Sequence, residues 1–213
     1  MSVASGQDIS LAYSTTPGTA SATDFTVSSG TVTIPAGQTF ASIAIPITLD
    51  RLSEDDETFS LILSNPTNVA LNNTTATGTI LNDDAPVLAV AAPSLRAIAL
   101  DTFLTTTEPF ALNNPNYFGD DKRTRISIFS LNMILTPGLV ITAQGVDSQQ
   151  VVHQLPVEFV GNVAGFNPVV PQEPFLTQIV LRLPDGITSA GDLQVRITAR
   201  GRNSNQVLIA VKP

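Results

Sequence analysis

The residues best suited to chemistry in this chain are carboxylates. Asn82-Asp83-Asp84 closes one apolar run and is followed by Ala85-Pro86. Asp83 and Asp84 there offer two hard oxygen ligands on a turn, where Asx side chains bond nearby backbone and Pro86 stops regular pairing. A second block, Glu54-Asp55-Asp56-Glu57, lies upstream. Up to Asp84 the only basic residue is Arg51, against nine acidic residues, a net charge of −8. The rest of the chain carries nine of each sign. A negative field of this kind attracts cations and repels nucleic acid and anionic lipid.

Other chemistry is thinly represented. There is no Cys, and His153 is the single histidine. Thiol catalysis is thereby excluded, and a zinc site lacks its usual ligands. His153 sits in an alternating apolar run, the setting of a structural histidine. No nucleotide-binding glycine motif or nucleophile elbow is present. A pair of carboxylates working as a glycosidase is the residual enzymatic reading. The expectation is a non-enzyme.

The elements that would position these acids are strands. Ile43, Ile45, Ile47 and Leu49 alternate with small or polar residues, as do Phe59, Leu61 and Leu63, and again Leu193, Val195, Ile197 and Ala199. Such period-2 patterns predict half-buried strands. Turn signals separate them: Pro35-Ala36-Gly37, Asn65-Pro66-Thr67-Asn68, Thr136-Pro137-Gly138 and Gly201-Arg202-Asn203. Residues 41–49 and 57–64 are expected as strands of the first half. Two long irregular stretches, 105–122 and 161–177, hold Tyr117, Phe118, Phe166 and Phe175, which would pack those loops down or bind carbohydrate. No run is apolar and long enough for a membrane-spanning helix, and no signal peptide opens the chain. The fold class expected is all-β: two tandem immunoglobulin-like β-sandwiches, residues 1–84 and 93–213, with 85–92 as linker or donor strand.

The first domain resembles the Calx-beta family. The resemblance is carried by Tyr13-Ser14-Thr15-Thr16-Pro17-Gly18-Thr19-Ala20, by Thr23-Asp24-Phe25, and by Ser29-Gly30-Thr31-Val32-Thr33-Ile34-Pro35-Ala36-Gly37. It continues through Asp50 with Glu54-Asp55-Asp56-Glu57-Thr58-Phe59, Leu63-Ser64-Asn65-Pro66, and Gly78-Thr79-Ile80-Leu81-Asn82-Asp83-Asp84. It implies an immunoglobulin-like sandwich with Ca²⁺ at one end. The matching ligand positions are Asp24, Asp50, Glu54, Asp83 and Asp84. Asn82 replaces the first of three closing aspartates, and the family's first two strands have no counterpart before Leu11. The second domain is similar to C-terminal immunoglobulin-like modules of bacterial secreted proteins.

A sandwich short of two strands leaves an open edge, and such edges template pairing. Two apolar donors are available by sequence: Val87, Leu88 and Val90, or the last strand with Val207, Ile209 and Val211. Arg196 and Arg200 form a basic stripe that would meet the acidic end of another copy. The expectation is an extracellular or cell-surface bacterial structural protein, a homopolymer built head to tail by strand complementation. The alternative is an adhesin-like module that binds calcium, carbohydrate or protein.

Overall fold

The computed structural model describes residues 3–91, 94–101, 108–112, 121–163, 176–188 and 190–212. Tyr117, Phe118, Phe166 and Phe175 lie outside the described residues. Among the described residues there are strands and turns but no helix. The fold is all-β and sandwich-like, and the chain divides into two compact units. The first holds Met1–Asp50 and Asp55–Asn82; the second holds Arg51–Glu54 and Asp83–Pro213.

The first unit is built on one antiparallel sheet. Its strands are β1 (Ile9–Pro17), β2 (Ser29–Ile34), β3 (Glu57–Thr67) and β4 (Thr75–Ile80), in the order β2-β1-β3-β4. Ile9 and Leu11 point inward from β1, two residues apart, as the pleat requires. Phe59 on β3 stacks on Phe25, with ring centroids 4.7 Å apart. The stack depends on Gly78, which lies directly across from Phe59 in the ladder. A Cβ at Gly78 would collide with the Phe59 ring, so glycine leaves the space that the ring occupies.

Two sequence expectations are corrected in this unit. Asn65-Pro66-Thr67-Asn68 does not end its strand, because β3 runs on to Thr67. The register shifts between Ser10 and Ala12, and Asn65 adopts a left-handed φ of 47°. An extra residue is absorbed as a bulge rather than spent on a turn. Residues 41–49 belong to no sheet strand; their ladder contact is a single bridge, Phe25↔Ile47. The alternation correctly marks an extended chain, with Ile45 packed toward Phe25 and Phe59. A ladder needs a neighbouring strand as well, and the described residues supply none on the far side. The result is one sheet with the beginning of a second layer.

The second unit is a sandwich of two sheets. One has the order β10-β11-β7-β5, from β5 (Leu100–Asp101), β7 (Arg125–Ser130), β10 (Val157–Asn162) and β11 (Thr177–Arg182). The other has the order β6-β14-β12-β8-β9, from β6 (Phe110–Ala111), β8 (Ile141–Val146), β9 (Val152–Leu155), β12 (Gly191–Ala199) and β14 (Val207–Lys212). The short β13 (Arg202–Asn203) pairs with β12 across the Gly201 turn. Ile126, Ile128, Ile179 and Leu181 from one sheet and Leu193, Val195, Ile197 and Ile209 from the other are buried in one core. His153 is structural: its Nε2 lies 2.8 Å from Asp147 Oδ2, and the other Asp147 oxygen accepts the Gln149 and Val151 N–H groups. This closes the β8–β9 hairpin.

Both expected donor strands are consumed inside this unit. Leu88 bridges Ser130, Val90 bridges Ala97, and the Val87 carbonyl accepts the Leu131 N–H. The Asn205 side chain binds Leu88 through both its N–H and its carbonyl. Residues 87–91 are therefore neither linker nor free donor. Val207, Ile209 and Val211 are buried on β14, which is flanked on both sides by β12 and β6. The arginines of the expected basic stripe lie within this unit. The Arg200 guanidinium donates to the carbonyls of Ser53 and Ile134 and to the Thr136 hydroxyl. Arg196 lies across from Gln144 in the ladder. Arginines at strand positions with carbonyls in reach satisfy their donors locally rather than projecting them to a partner.

Candidate metal centre

Asp24 is fixed by its own turn. The chain folds back at Ser21, so that the Asp24 N–H donates to the Ser21 carbonyl. Asp24 Oδ2 then accepts the Ser21 N–H at 2.6 Å and the Ser21 hydroxyl at 2.8 Å, while Oδ1 accepts the Thr23 hydroxyl at 3.2 Å. Phe25, next in sequence, is fully buried and anchors the turn to the core. Asp24 is thus held by the Ser21 turn beside the buried Phe25.

Glu57 arrives from the other side. It opens β3 two residues before Phe59, and the strand period puts both side chains on one face. The Phe25–Phe59 stack thus draws Glu57 to Asp24. Burial, the charge of Asp24, a hydrogen bond shared with Asp24, and the charge of Asp50 push the Glu57 carboxyl up to about 7. Burial acts in the same upward direction on Asp24, but the Ser21 N–H and hydroxyl and the Thr23 hydroxyl outweigh it and hold Asp24 below the ordinary carboxylate value. The opposite shifts describe two carboxylates sharing one proton. Glu57 Oε2 is buried and has no hydrogen-bond partner. One carboxylate oxygen of Asp24 lies within 4.8 Å of one of Glu57.

The donor set is entirely hard oxygen, carries excess negative charge and leaves one buried oxygen unsatisfied. Those are the demands of a proton at low pH and of a cation such as Ca²⁺ at higher pH. The arrangement therefore fits calcium on the evidence of its own residues.

The five positions named from sequence are placed differently. Asp24 stands beside Glu57, Asp50 acts on Glu57 through its charge, and Glu54 is grouped with the second unit. Asp83 and Asp84 belong to the second unit and are not members of the group. Asn82, at the head of that closing motif, donates its N–H to Asp56 Oδ1 at 2.8 Å. Glu57 is the residue that sequence reasoning missed. The signal was its spacing from Phe59, which puts an acid on the inward face of a strand.

The Calx-beta domain family matches residues 1–84. Among solved structures, the apo form of the Calx CBD1 domain is 35% identical, over 37% of this chain and 73% of that one, with a TM-score of 0.35. The calcium binding domain CBD12 of CALX1.1 is 20% identical, over 91% of this chain and 67% of that one, with a TM-score of 0.36. The CBD12 of CALX1.2 is 20% identical, over 91% and 68%, with a TM-score of 0.35. Comparison with curated proteins finds no match. Through its first 84 residues, the chain belongs to the Calx-beta domain family.

Proposed function

We propose that the first unit is a calcium-binding module in which Asp24 and Glu57 hold the ion and the charge of Asp50 raises the site's affinity. The reading rests on the Glu57 carboxylate, which is pushed to about 7 beside Asp24 with one oxygen unsatisfied. A bound calcium would supply positive charge and oxygen coordination where these acids repel one another. The chain's own residues do the rest. The Ser21 turn fixes Asp24, the phenylalanine stack delivers Glu57, and Gly78 makes room for the stack. One similar structure, CBD12 of CALX1.1, is a calcium binding domain, in keeping with this reading. The role is binding rather than catalysis, in a module of a larger extracellular or cell-surface protein. Head-to-tail strand exchange is not retained, because both expected donors are occupied inside the second unit.

Calcium titration by calorimetry tests the proposal. The wild-type chain is expected to bind Ca²⁺ and to gain thermal stability, and Glu57→Gln to lose at least about tenfold in affinity, on the order of one charge-assisted ligand. Absence of heat and of any thermal shift at millimolar calcium overturns it.

A further inference from the structure

The Gly18-Thr19-Ala20 stretch carries no ligand atom, yet it lies against the strand that delivers Glu57. Strand β1 ends at Pro17, paired with Phe59 of β3. The next residue along β3 is Thr58, between Glu57 and Phe59, and its backbone groups turn toward β1. The Thr58 carbonyl accepts the Gly18 N–H at 3.2 Å and the Ala20 N–H at 2.9 Å. A regular antiparallel ladder would return the Thr58 N–H to the Gly18 carbonyl. It donates instead to Thr19 Oγ1 at 2.8 Å. The same hydroxyl lies 3.3 Å from the Thr58 hydroxyl. A side chain thus completes the last pair of the ladder.

The neighbours of Thr19 fit this clasp. A Cβ at Gly18 would lie 2.6 Å from the Thr58 carbonyl oxygen, so glycine lets the two backbones close. Ala20 is buried in one cluster with Phe25 and Phe59. Ser21 follows directly, and its N–H and hydroxyl hold Asp24 Oδ2. One short segment therefore grips the carriers of both acids. Residues 18–20 hold Thr58, next to Glu57, and Ser21 holds Asp24. The two carboxyls share a hydrogen bond across this bracket.

We infer that Thr19 is a positioning residue of the metal centre: its hydroxyl fixes Thr58 to the 18–21 bracket and so sets the separation of Asp24 and Glu57. Thr19 has this role on the reading of those two acids as calcium ligands. Two ionised carboxylates repel each other, and the backbone that carries them must keep them within reach of one ion. Ligands held in place before the ion arrives remove an ordering cost from binding. The Thr19 side chain is exposed, so changing it opens no cavity.

The test combines calcium titration of the whole chain by calorimetry with amide NMR in chelator. Thr19→Val keeps the shape and removes the hydroxyl. It is expected to weaken calcium binding about three- to tenfold, the net value of one hydrogen bond. In chelator the Thr58 amide should exchange faster, and the Asp24 and Phe25 amide resonances should shift. Thr19→Ser, which restores the hydroxyl, should return every reading to that of the wild type. Thr33→Val, the same change at an exposed position on β2, should alter none of them. A threonine that only stabilises the fold would lower the melting temperature in Thr19→Val while calcium affinity and the Asp24 and Phe25 resonances stay unchanged. That result overturns the inference, as does a Thr19→Ser variant that fails to recover them. A wild-type chain that binds no calcium removes the calcium reading alone. The metal-free spectra then decide the role of Thr19, because a bracket that sets Asp24 must move its resonances when the clasp is cut, and unmoved resonances overturn it.

Discussion

Glu57 is held in a state that its surroundings make costly. Its ordinary value is 4.5, and in the folded chain it rises to about 7 through burial and the charges of Asp24 and Asp50. Between those values the folded protein keeps a proton that the unfolded chain releases. For this group, metal-free stability is therefore greatest below about pH 4.5 and is lost as pH rises through about 7. Asp24 acts in the opposite sense. Its lowered value contributes stability above 3.8 that is lost as pH falls below it. The metal-free first unit should thus be most stable in mildly acidic solution. Glu57→Gln, which keeps the shape and cannot ionise, should flatten the fall in melting temperature between pH 5 and 8 and raise the metal-free melting temperature at pH 8. Melting curves by circular dichroism in chelator check this. An unchanged slope in the variant assigns the pH dependence elsewhere. Glu57 escaped sequence reading because it stands in an acidic block, where solvation is the ordinary account of four neighbouring charges. Only the inward period shared with Phe59, and the stack beyond it, distinguish it from Asp55 and Asp56.

Among elements, the site hangs on the β3–β4 pair. Phe59 lies over Gly78 and against Phe25, and that contact sets where both acids point. Gly78→Ala would force the ring aside. Overpacking of this kind costs about 1–3 kcal/mol, and the displaced stack should weaken calcium binding at a position with no ligand atom. Denaturant melts together with calcium titration of the variant measure both effects. A stable variant with undiminished calcium affinity would remove the stack from the account. The legibility of elements divides along physical lines. The alternation at Leu193, Val195, Ile197 and Ala199 located β12 because a strand inside a complete sheet is specified by burial on one face. The same alternation at 41–49 located an extended chain without its ladder, since pairing is decided by a neighbour that local sequence does not contain. The turn expected at Asn65-Pro66 became a bulge because Asn tolerates the left-handed region in either setting. Val87, Leu88 and Val90 were recognised as pairing-ready, but apolarity does not tell a donor from a strand already paired at home.

At the scale of the molecule, family and charge were readable. Six motifs in order identified the Calx-beta half, and the whole net charge of −8 falls in those first residues. Residues Arg51–Glu54 group with the second unit, as do Asp83 and Asp84. The Arg200 donors that close on Ser53 and Ile134 show why, since hydrogen bonds to backbone carbonyls leave no trace in composition. The concentration of acid in the first unit gives the proposed site its central property, the exchange of a proton for a cation.

Proton release on calcium binding tests that property most directly. Calorimetric titrations at pH 6 in buffers of different ionisation enthalpy report the protons displaced for each ion bound. The account predicts release of about one proton, falling toward zero at pH 8.5 and absent in Glu57→Gln, because a carboxyl titrating near 7 must ionise before it can ligate. Calcium binding with no proton release at pH 6 would contradict it, and would show that the ion is held by other carboxylates than the pair at Asp24 and Glu57.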